Sequence, residues 1–240
     1  MHESCPKIEI GANEVGTSSS MTFHIQQVQG RRVLVAEGAI TENTPQELQR
    51  ALTSSSQIEE IWVRSAGGNA SAGNEAARII RAAGLPTRIP SGWWCISSCN
   101  FMFFGGVARY IDSGGQFGIH MATAVNSSDF QELLLNFQKG VIAAAQGQDV
   151  SNDSLAAFAT QQLLSLFGAR EQSMAILSAF DVDVLLRMGI SRRLLDVMYD
   201  QRADDFRDDN GDGQLDIGDA PTFRCLARDE LIRYNVVNTE

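Results

Sequence analysis

The order of elements along the chain predicts an α/β fold with a mainly parallel sheet. Between residues 21 and 120, short apolar runs alternate with helix-like segments. A glycine pair, Gly67-Gly68, stands directly after one apolar run and opens one of those helix-like segments. After residue 120 the pattern becomes almost purely helical. Because strands that alternate with helices usually pair in parallel, we expect an α/β domain with a helical C-terminal half.

The first half of the domain is predicted element by element. Met21–Val28 alternates apolar and polar residues, as a half-buried strand does, and a second strand follows over Arg32–Ile40. A capping threonine, a first-turn proline and a glutamate three residues on, at Thr44–Glu47, predict a helix to about Ser54. The remaining predictions are strands at Ile58–Val63, Pro86–Pro90, Val107–Ile111 and Gln116–His120, and helices at Asn69–Ala83 (ended by Gly84) and Ser98–Phe104.

The second half is predicted to be helical. Apolar residues recur at helical spacing from Phe130 to Ile142. Residues 1–20 are polar and rich in serine and glycine, which predicts a flexible arm before a domain over 21–240. Further helices are predicted at Asp153–Phe167, Arg170–Phe180, Val182–Met188, Arg192–Tyr199 and Ala227–Tyr234, with a last strand at Asn235–Asn238.

Composition and charge exclude two classes of partner. The chain has 240 residues and 44% hydrophobic content, which is enough for one sizeable core. Its formal net charge is −10, so nucleic acid and anionic membrane surfaces would repel it. No run of about 18 apolar residues occurs, so we expect no membrane span.

The cysteines predict disulfides and not a zinc site. The chain has four, Cys5, Cys95, Cys99 and Cys225, with no Cys-x-x-Cys pair and only three histidines. Four cysteines allow three pairings. Cys95 and Cys99 straddle a predicted strand-to-helix bend, which favours their pairing and leaves Cys5–Cys225 by elimination. Four buried thiols in a cytosolic protein are the alternative.

Three features of one stretch predict nucleophilic chemistry. Gly67-Gly68 lies at a helix start, where backbone N–H groups can face a negative charge. Ser98 precedes a hydrophobic helix, and His120 ends an apolar strand. Taken singly, each is more often an ordinary turn, a capping serine or a structural histidine. Together they supply the oxyanion donors, the nucleophile and the base that serine chemistry needs.

The combination resembles the proteolytic subunit of the Clp protease, ClpP, and its exported relatives in the ClpP/crotonase superfamily. The resemblance covers about Arg32–His120 and returns at Ala227–Asn238. It implies a ClpP/crotonase-like spiral of ββα units. The matching pieces are Ser65-Ala66-Gly67-Gly68, Gly73, the Ser97-Ser98 elbow, Gly105-Gly106 with Arg109, and Gly118-Ile119-His120.

The resemblance also implies a role for each residue of the site. Ser98 matches the nucleophile and His120 the general base. The backbone N–H groups of Gly68 and Cys99 match the oxyanion-hole donors. Ser97 is the neighbouring alternative nucleophile, and the register of the match favours Ser98.

The acid of a triad stays open at this stage. In the family it lies just before the closing helix, where this chain has an aspartate-rich stretch. Asp219 is the candidate we include with the catalytic residues, and Asp204 and Asp205 are alternatives. A Ser–His dyad, or a degenerate enzyme, is the further alternative.

The same aspartate-rich stretch fits the EF-hand loop rule. Oxygen ligands at this spacing wrap one hard cation, so we expect a Ca²⁺ site in an insertion at 204–222. Aspartate replaces the usual glutamate at position 12, and Pro221 makes the usual exiting helix unlikely to begin there. A solvated acidic linker is the alternative. The ligands at positions 1, 3, 5, 7, 9 and 12 are Asp208, Asn210, Asp212, Gln214 (through its carbonyl), Asp216 and Asp219, with Gly213 at the turn.

The leading interpretation is a serine hydrolase, specifically a peptidase acting on peptides or unfolded protein. One rival is a degenerate ClpP-like protein that binds calcium and a partner. The other is a crotonase-type acyl-CoA enzyme, against which the Ser98/His120 pair and the absence of a basic patch near the turn both count. ClpP forms rings, so the resemblance implies a homo-oligomer, although the helical half and the inserted loop differ from ClpP. The cysteines around the elbow imply an exported, periplasmic or secreted protein, although residues 1–5 have no signal-peptide character.

Overall fold

The computed structural model describes residues 19–54, 57–119, 182–204 and 224–239, together with isolated helical positions at 135–137, 139–140, 142, 157 and 159–161. Contacts between Cα atoms divide the chain into two compact units, one of residues 1–121 with 180–240 and one of residues 122–179. The described positions of the second unit are helical, as predicted, and 157 and 159–161 fall within the predicted helix Asp153–Phe167. The predicted arm, apart from residues 19 and 20, and the predicted helix Arg170–Phe180 lie outside the described residues.

Strands and helices alternate through the first unit, as the sequence predicts. In chain order they are β1 (Thr22–Val28), β2 (Arg31–Glu37), α1 (Thr44–Ser54), β3 (Glu60–Arg64), α2 (Ala70–Ala83), β4 (Thr87–Ile89), β5 (Trp94–Ile96), α3 (Cys99–Phe104), β6 (Arg109–Ile111), β7 (Gln116–Ile119), α4 (Arg193–Asp204), β8 (Arg224–Cys225) and α5 (Arg228–Arg233). A helical run at 182–187 precedes α4. No helix in the described ranges is both long and apolar enough to cross a membrane.

Two sheets organise these elements. The larger has the strand order β1-β2-β3-β4-β6, and all of its pairs except β1 with β2 are parallel. The smaller has the order β5-β7-β8, with β5 and β7 parallel and β8 antiparallel. A single bridge between Ser65, just after β3, and Cys95 in β5 joins the two sheets. The predicted α/β class with mainly parallel strands is confirmed.

Helices α2 and α3 form the core that carries the site. On α2 the buried residues Ala72, Ala76, Ala77 and Ile80 share one face, and their small size allows close packing. All six residues of α3 are buried. Phe103 and Phe104 of α3 pack against Phe117 of β7, with ring centroids 5.8 and 5.6 Å apart. Each fully buried phenylalanine stabilises the fold by about 1.5–3 kcal/mol, so these contacts stabilise the packing of α3 against β7.

Compared with the prediction, the structure has two additional short strands, β5 and β8, and lacks one predicted strand. Trp94–Ile96 is a strand that the sequence did not reveal, since a three-residue run has no measurable period. The predicted strand Asn235–Asn238 does not form, because the N–H groups of Val236 and Val237 donate back to the Leu231 carbonyl at the end of α5. This segment instead contacts β6 through side chains: Asn238 Oδ1 accepts from the Arg109 N–H at 2.8 Å.

Candidate active site

The Gly67-Gly68 turn leaves one backbone N–H without an acceptor. Both glycines have positive φ, +101° and +138°. The Gly67 N–H donates to Ser65 Oγ at 3.0 Å, and the Gly67 carbonyl accepts from the Ile40 N–H at 2.9 Å. A Cβ on Gly68 would lie 2.2 Å from the Ile40 carbonyl oxygen, so only glycine fits there. Within the described part of the chain, the Gly68 N–H has no acceptor.

The elbow before α3 presents a second such donor. Ser97 has φ +59°, a left-handed conformation that is uncommon for serine and turns the chain sharply from β5 into α3. Ser98 follows in helical conformation and is 2% exposed. Its Oγ has no hydrogen-bond partner among the described residues. Cys99 begins α3, so its N–H belongs to the first turn and has no acceptor within the helix.

The turn and the elbow are in contact. A Cβ on Gly67 would lie 2.6 Å from Ser97 Cβ and 2.9 Å from the Ile96 carbonyl oxygen. A Cβ on Gly73 of α2 would lie 2.6 Å from the Ser98 carbonyl oxygen. Three close approaches to glycine therefore hold the strand-to-helix turn, α2 and the elbow together. The two predicted oxyanion donors and the predicted nucleophile lie on these adjoining segments.

Strand β7 carries the chain to the predicted base. Gly118 of β7 is in register with Ile96 of β5, and the two strands run in the same direction. A Cβ at position 118 would lie 3.1 Å from an Ile96 side-chain carbon, so Gly118 allows β7 to pack closely against Ile96. β7 ends at Ile119. The next residue, His120, lies outside the described residues.

The predicted acids and the predicted calcium ligands also fall outside the described residues. Asp204 ends α4, but its side chain is not among those described. The same holds for all of Asp205, Asp208, Asn210, Asp212, Gln214, Asp216 and Asp219. Their assignment to catalysis or to Ca²⁺ therefore stays a prediction.

A disulfide closes the elbow, as predicted. Cys95 in β5 and Cys99 at the start of α3 are bonded, with Cα atoms 5.3 Å apart. Both residues are fully buried. The bond therefore encloses Ser97 and Ser98 between its two ends. Cys225 is disulfide-bonded as well, and its predicted partner, Cys5, lies outside the described residues.

Two polar side chains at this site were not singled out from the sequence. Ser65 accepts the Gly67 N–H and thereby shapes the turn. Asn100, the second residue of α3, donates from Nδ2 to the Gly118 carbonyl at 2.8 Å in a buried contact. Asn100 had a detectable signal, because one amide in the run Cys-Asn-Phe-Met-Phe-Phe is costly to bury without a hydrogen bond.

Arg109, which the resemblance also matched, is structural. It is 1% exposed, and its guanidinium donates to the carbonyls of Gly106, Met188, Asn235 and Val236 at 2.8–3.2 Å. Burial, and then the nearby charge of Arg81, lowers the pKa of Arg109 to about 10. The side chain stays protonated at neutral pH and pins segment 235–236 to the core.

No protein-family model matches the chain, and no curated protein matches it. Among solved structures, it is similar to a putative enoyl-CoA hydratase from Rhodopseudomonas palustris CGA009, at 12% identity over 40% of this chain and 48% of that one, with a TM-score of 0.32. It is similar to ClpP1 from Listeria monocytogenes at 18% identity over 52% and 76%, with a TM-score of 0.32. It is similar to a membrane-bound stomatin-specific protease at 19% identity over 54% and 66%, with a TM-score of 0.31. Similarities at this level assign no activity to the chain.

Proposed function

We propose that this protein is a serine hydrolase with Ser98 as its nucleophile. The observation that carries the proposal is the Ser98 hydroxyl, which is buried and has no partner among the described residues. It lies beside the backbone N–H groups of Gly68 and Cys99, which have no acceptor in the same part of the chain. A buried hydroxyl without a hydrogen bond costs roughly 1–3 kcal/mol, so a purely structural serine would normally be paired. The missing hydrogen bond is explained if Ser98 is a nucleophile, because its partner is then a catalytic base or a bound substrate.

The proposed reaction is acyl transfer. Ser98 Oγ attacks the substrate carbonyl carbon while its proton passes to the imidazole of His120. The N–H groups of Gly68 and Cys99 hold the oxyanion of the tetrahedral intermediate. The imidazolium then protonates the leaving amine, an acyl-enzyme forms, and a water molecule activated by the imidazole releases the acid product.

His120 is proposed as the base because of the strand that precedes it. Gly118 and Ile96 are paired, and each lies two residues before one member of the Ser98/His120 pair. Since β5 and β7 run parallel, both chains leave the same edge of the small sheet. An acid such as Asp219 is not required by this proposal, because a Ser–His dyad can carry out the same steps at a lower rate.

The proposed substrate is a peptide or an unfolded protein. This finer assignment rests on the resemblance of the turn and the elbow to ClpP, as do the proposals of a homo-oligomer and of an exported location. Hydrolysis of fluorogenic peptides, compared with hydrolysis or hydration of acyl-CoA, distinguishes this assignment from crotonase-type chemistry. Turnover of acyl-CoA alone would contradict the peptidase assignment while leaving the oxyanion site in place.

Labelling with a fluorophosphonate tests the proposal. Mass spectrometry should place the adduct on Ser98, and Ser98→Ala should abolish labelling. Ser97→Ala is the matched control, since it removes a hydroxyl one residue away; it should keep the adduct. An adduct on Ser97, or labelling that survives Ser98→Ala, would contradict the assignment.

One observation favours a non-catalytic alternative. Ser98 is 2% exposed, so a substrate reaches it only if neighbouring residues move. A degenerate binding protein would have no need of such access. The absence of any adduct in folded wild-type protein, at probe concentrations that saturate a control serine hydrolase, would favour this alternative.

We also propose that residues 208–219 bind one Ca²⁺. Support comes from the spacing of the oxygen ligands in the sequence, where four aspartates would repel one another without a cation. Calorimetry should show one binding event that Asp208→Ala and Asp212→Ala weaken strongly. An unchanged heat of binding in both variants would show that residues 208–219 are not the Ca²⁺ site. Equal rates of Ser98 labelling with calcium and with chelator would mean that the ion stabilises structure only.

A further inference from the structure

Asn100 links the helix of the proposed nucleophile to the strand that leads to the proposed base. It lies two residues after Ser98 in α3 and is 5% exposed. Its Nδ2 donates to the Gly118 carbonyl of β7 at 2.8 Å across 18 residues of sequence. Gly118 itself lies between Ile96 of β5 and Cys225 of β8. The contact therefore joins α3 to the central strand of the small sheet.

The oxygen of the Asn100 amide has no partner among the described residues. This atom, Oδ1, is buried. An amide that serves packing alone would normally be replaced by leucine, which has a similar volume and no buried polar atoms. The chain instead retains a polar group in a helix whose later residues are Phe101, Met102, Phe103 and Phe104. The hydrogen bond from Asn100 Nδ2 to the Gly118 carbonyl is therefore the interaction that explains an asparagine at this position.

We infer that Asn100 is a positioning residue for the proposed Ser98/His120 pair. By binding the Gly118 carbonyl, it fixes the carboxyl end of β7 against the first turn of α3. The separation between the elbow and Ile119, where β7 ends, then varies little. This inference rests on the proposed function, because a fixed separation matters only if Ser98 and His120 react together. A displacement near 1 Å at a reacting pair costs about 100-fold in rate.

The test compares Asn100→Leu and Asn100→Asp with wild-type protein. Both variants keep the side-chain size and lose the N–H donor. Fluorophosphonate labelling of Ser98 should slow by about 10- to 100-fold in its maximal inactivation rate, with little change in the probe concentration for half-maximal rate. Hydrogen exchange should show lost protection at residues 116–119 in both variants.

Thr87→Val is the matched control. Thr87 Oγ1 donates to the Phe103 carbonyl at 2.7 Å, so it is a second buried side-chain bond to α3, at the end away from Ser98. This variant should lose thermal stability comparable to that of Asn100→Leu while labelling within about twofold of the wild-type rate. If Asn100→Leu does not fold, Asn100→Asp carries the comparison alone.

Three other outcomes would contradict either the positioning role of Asn100 or the proposed function. Wild-type labelling rates in the folded Asn100 variants would overturn the positioning role and leave the proposed function intact. An equal slowing in Thr87→Val at equal loss of melting temperature would reduce Asn100 to a structural residue. Wild-type protein that is not labelled at Ser98 would overturn the proposed function and this role together.

Discussion

Buried polar groups near the two ends of strand β3 differ in whether they have hydrogen-bond partners. At its amino end, Glu60 is 1% exposed and accepts hydrogen bonds from Arg31, Trp62 and Arg88 at 2.6–3.0 Å. At its carboxyl end, about 13 Å away by strand geometry, the chain enters the turn that contacts the elbow. There the hydroxyl of Ser98 has no partner among the described side chains.

The difference separates a structural polar cluster from a candidate site. Burial raises the pKa of Glu60, but its hydrogen bonds with Arg88, Trp62 and Arg31 outweigh burial and hold that pKa below its ordinary value. At this end of β3 the buried carboxylate is hydrogen-bonded by side chains of the protein itself. At the other end, the proposed function uses groups that have no partner among the described residues, and close contacts with Gly67 and Gly73 hold the elbow that carries them.

The largest effect is expected where the glycine turn is broken. In Gly68→Ala, the added methyl group meets the Ile40 carbonyl, so the turn must move and the Gly68 N–H with it. Labelling of Ser98 should fall by at least about 100-fold, the effect of losing one oxyanion donor, and the free energy of unfolding should fall by about 3 kcal/mol.

Gly84→Ala is the control for that change. Gly84 ends α2 with φ +68°, and a Cβ there would meet no atom within 4 Å. The substitution should cost about 1 kcal/mol in urea denaturation and leave labelling unchanged. Similar labelling in both alanine variants would contradict a role for the Gly68 N–H.

A smaller effect, on stability alone, is expected at the opposite end of β3. Glu60→Gln removes the buried negative charge to which Arg31, Trp62 and Arg88 donate, and should lower the free energy of unfolding by about 2–3 kcal/mol at pH 7. Labelling of Ser98 should not change. Glu75→Gln, in an exposed pair with Arg78, should cost less than about 0.5 kcal/mol.

The pH dependence sharpens this prediction. Because the pKa of Glu60 is lowered in the folded protein, the unfolded chain takes up the proton first as the pH falls. The stabilisation is therefore complete well above the ordinary pKa of 4.5 and is lost as the pH falls below it. Melting temperatures measured from pH 6 to pH 3 should converge for wild type and Glu60→Gln. Parallel curves would contradict the role of the Glu60 charge.

Apart from the controls, the smallest loss of stability is expected from opening the elbow disulfide. In the double variant Cys95→Ala and Cys99→Ala, the closed loop is short, so the free energy of unfolding should fall by about 2 kcal/mol. The elbow is still held by the glycine contacts of α2 and of the turn, so labelling should slow by less than about tenfold. A complete loss of labelling in folded protein would mean that the disulfide, and not glycine packing, places the oxyanion donor at Cys99.

Much of the first unit could be predicted from local sequence signals. Helix α2 begins after Asn69, whose side chain accepts the Ala72 N–H, and ends at Gly84 in the left-handed conformation, as the capping rules require. The Gly67-Gly68 turn was also predictable, because it follows the predicted strand β3 and precedes α2; at the elbow only the helix after Ser98 was predicted, and β5 was missed. In these cases a few neighbouring residues contain all the information.

The parts that were missed depend on contacts between distant residues. The Asn100 bond to Gly118 spans 18 residues, and no local pattern indicates its partner. Segment 235–238 has the composition of a strand, yet its N–H groups return to α5 and its side chains pair with β6. The strand propensity of these residues was outweighed by the backbone hydrogen bonds that end α5.

The contacts of β6 have a consequence for synthesis of the chain. Arg109 and its neighbour Val107 bind segment 235–239 across 126 to 131 residues. At about 5–20 residues per second, a ribosome needs roughly 7 to 26 s to supply that segment after β6 is made. During this interval the edge of the larger sheet has unpaired backbone groups and Arg109 has no carbonyls from 235–236 to bind. An uncovered strand edge can pair with another chain, so the interval before residues 235–239 are made is the one in which the nascent chain is most exposed to such pairing.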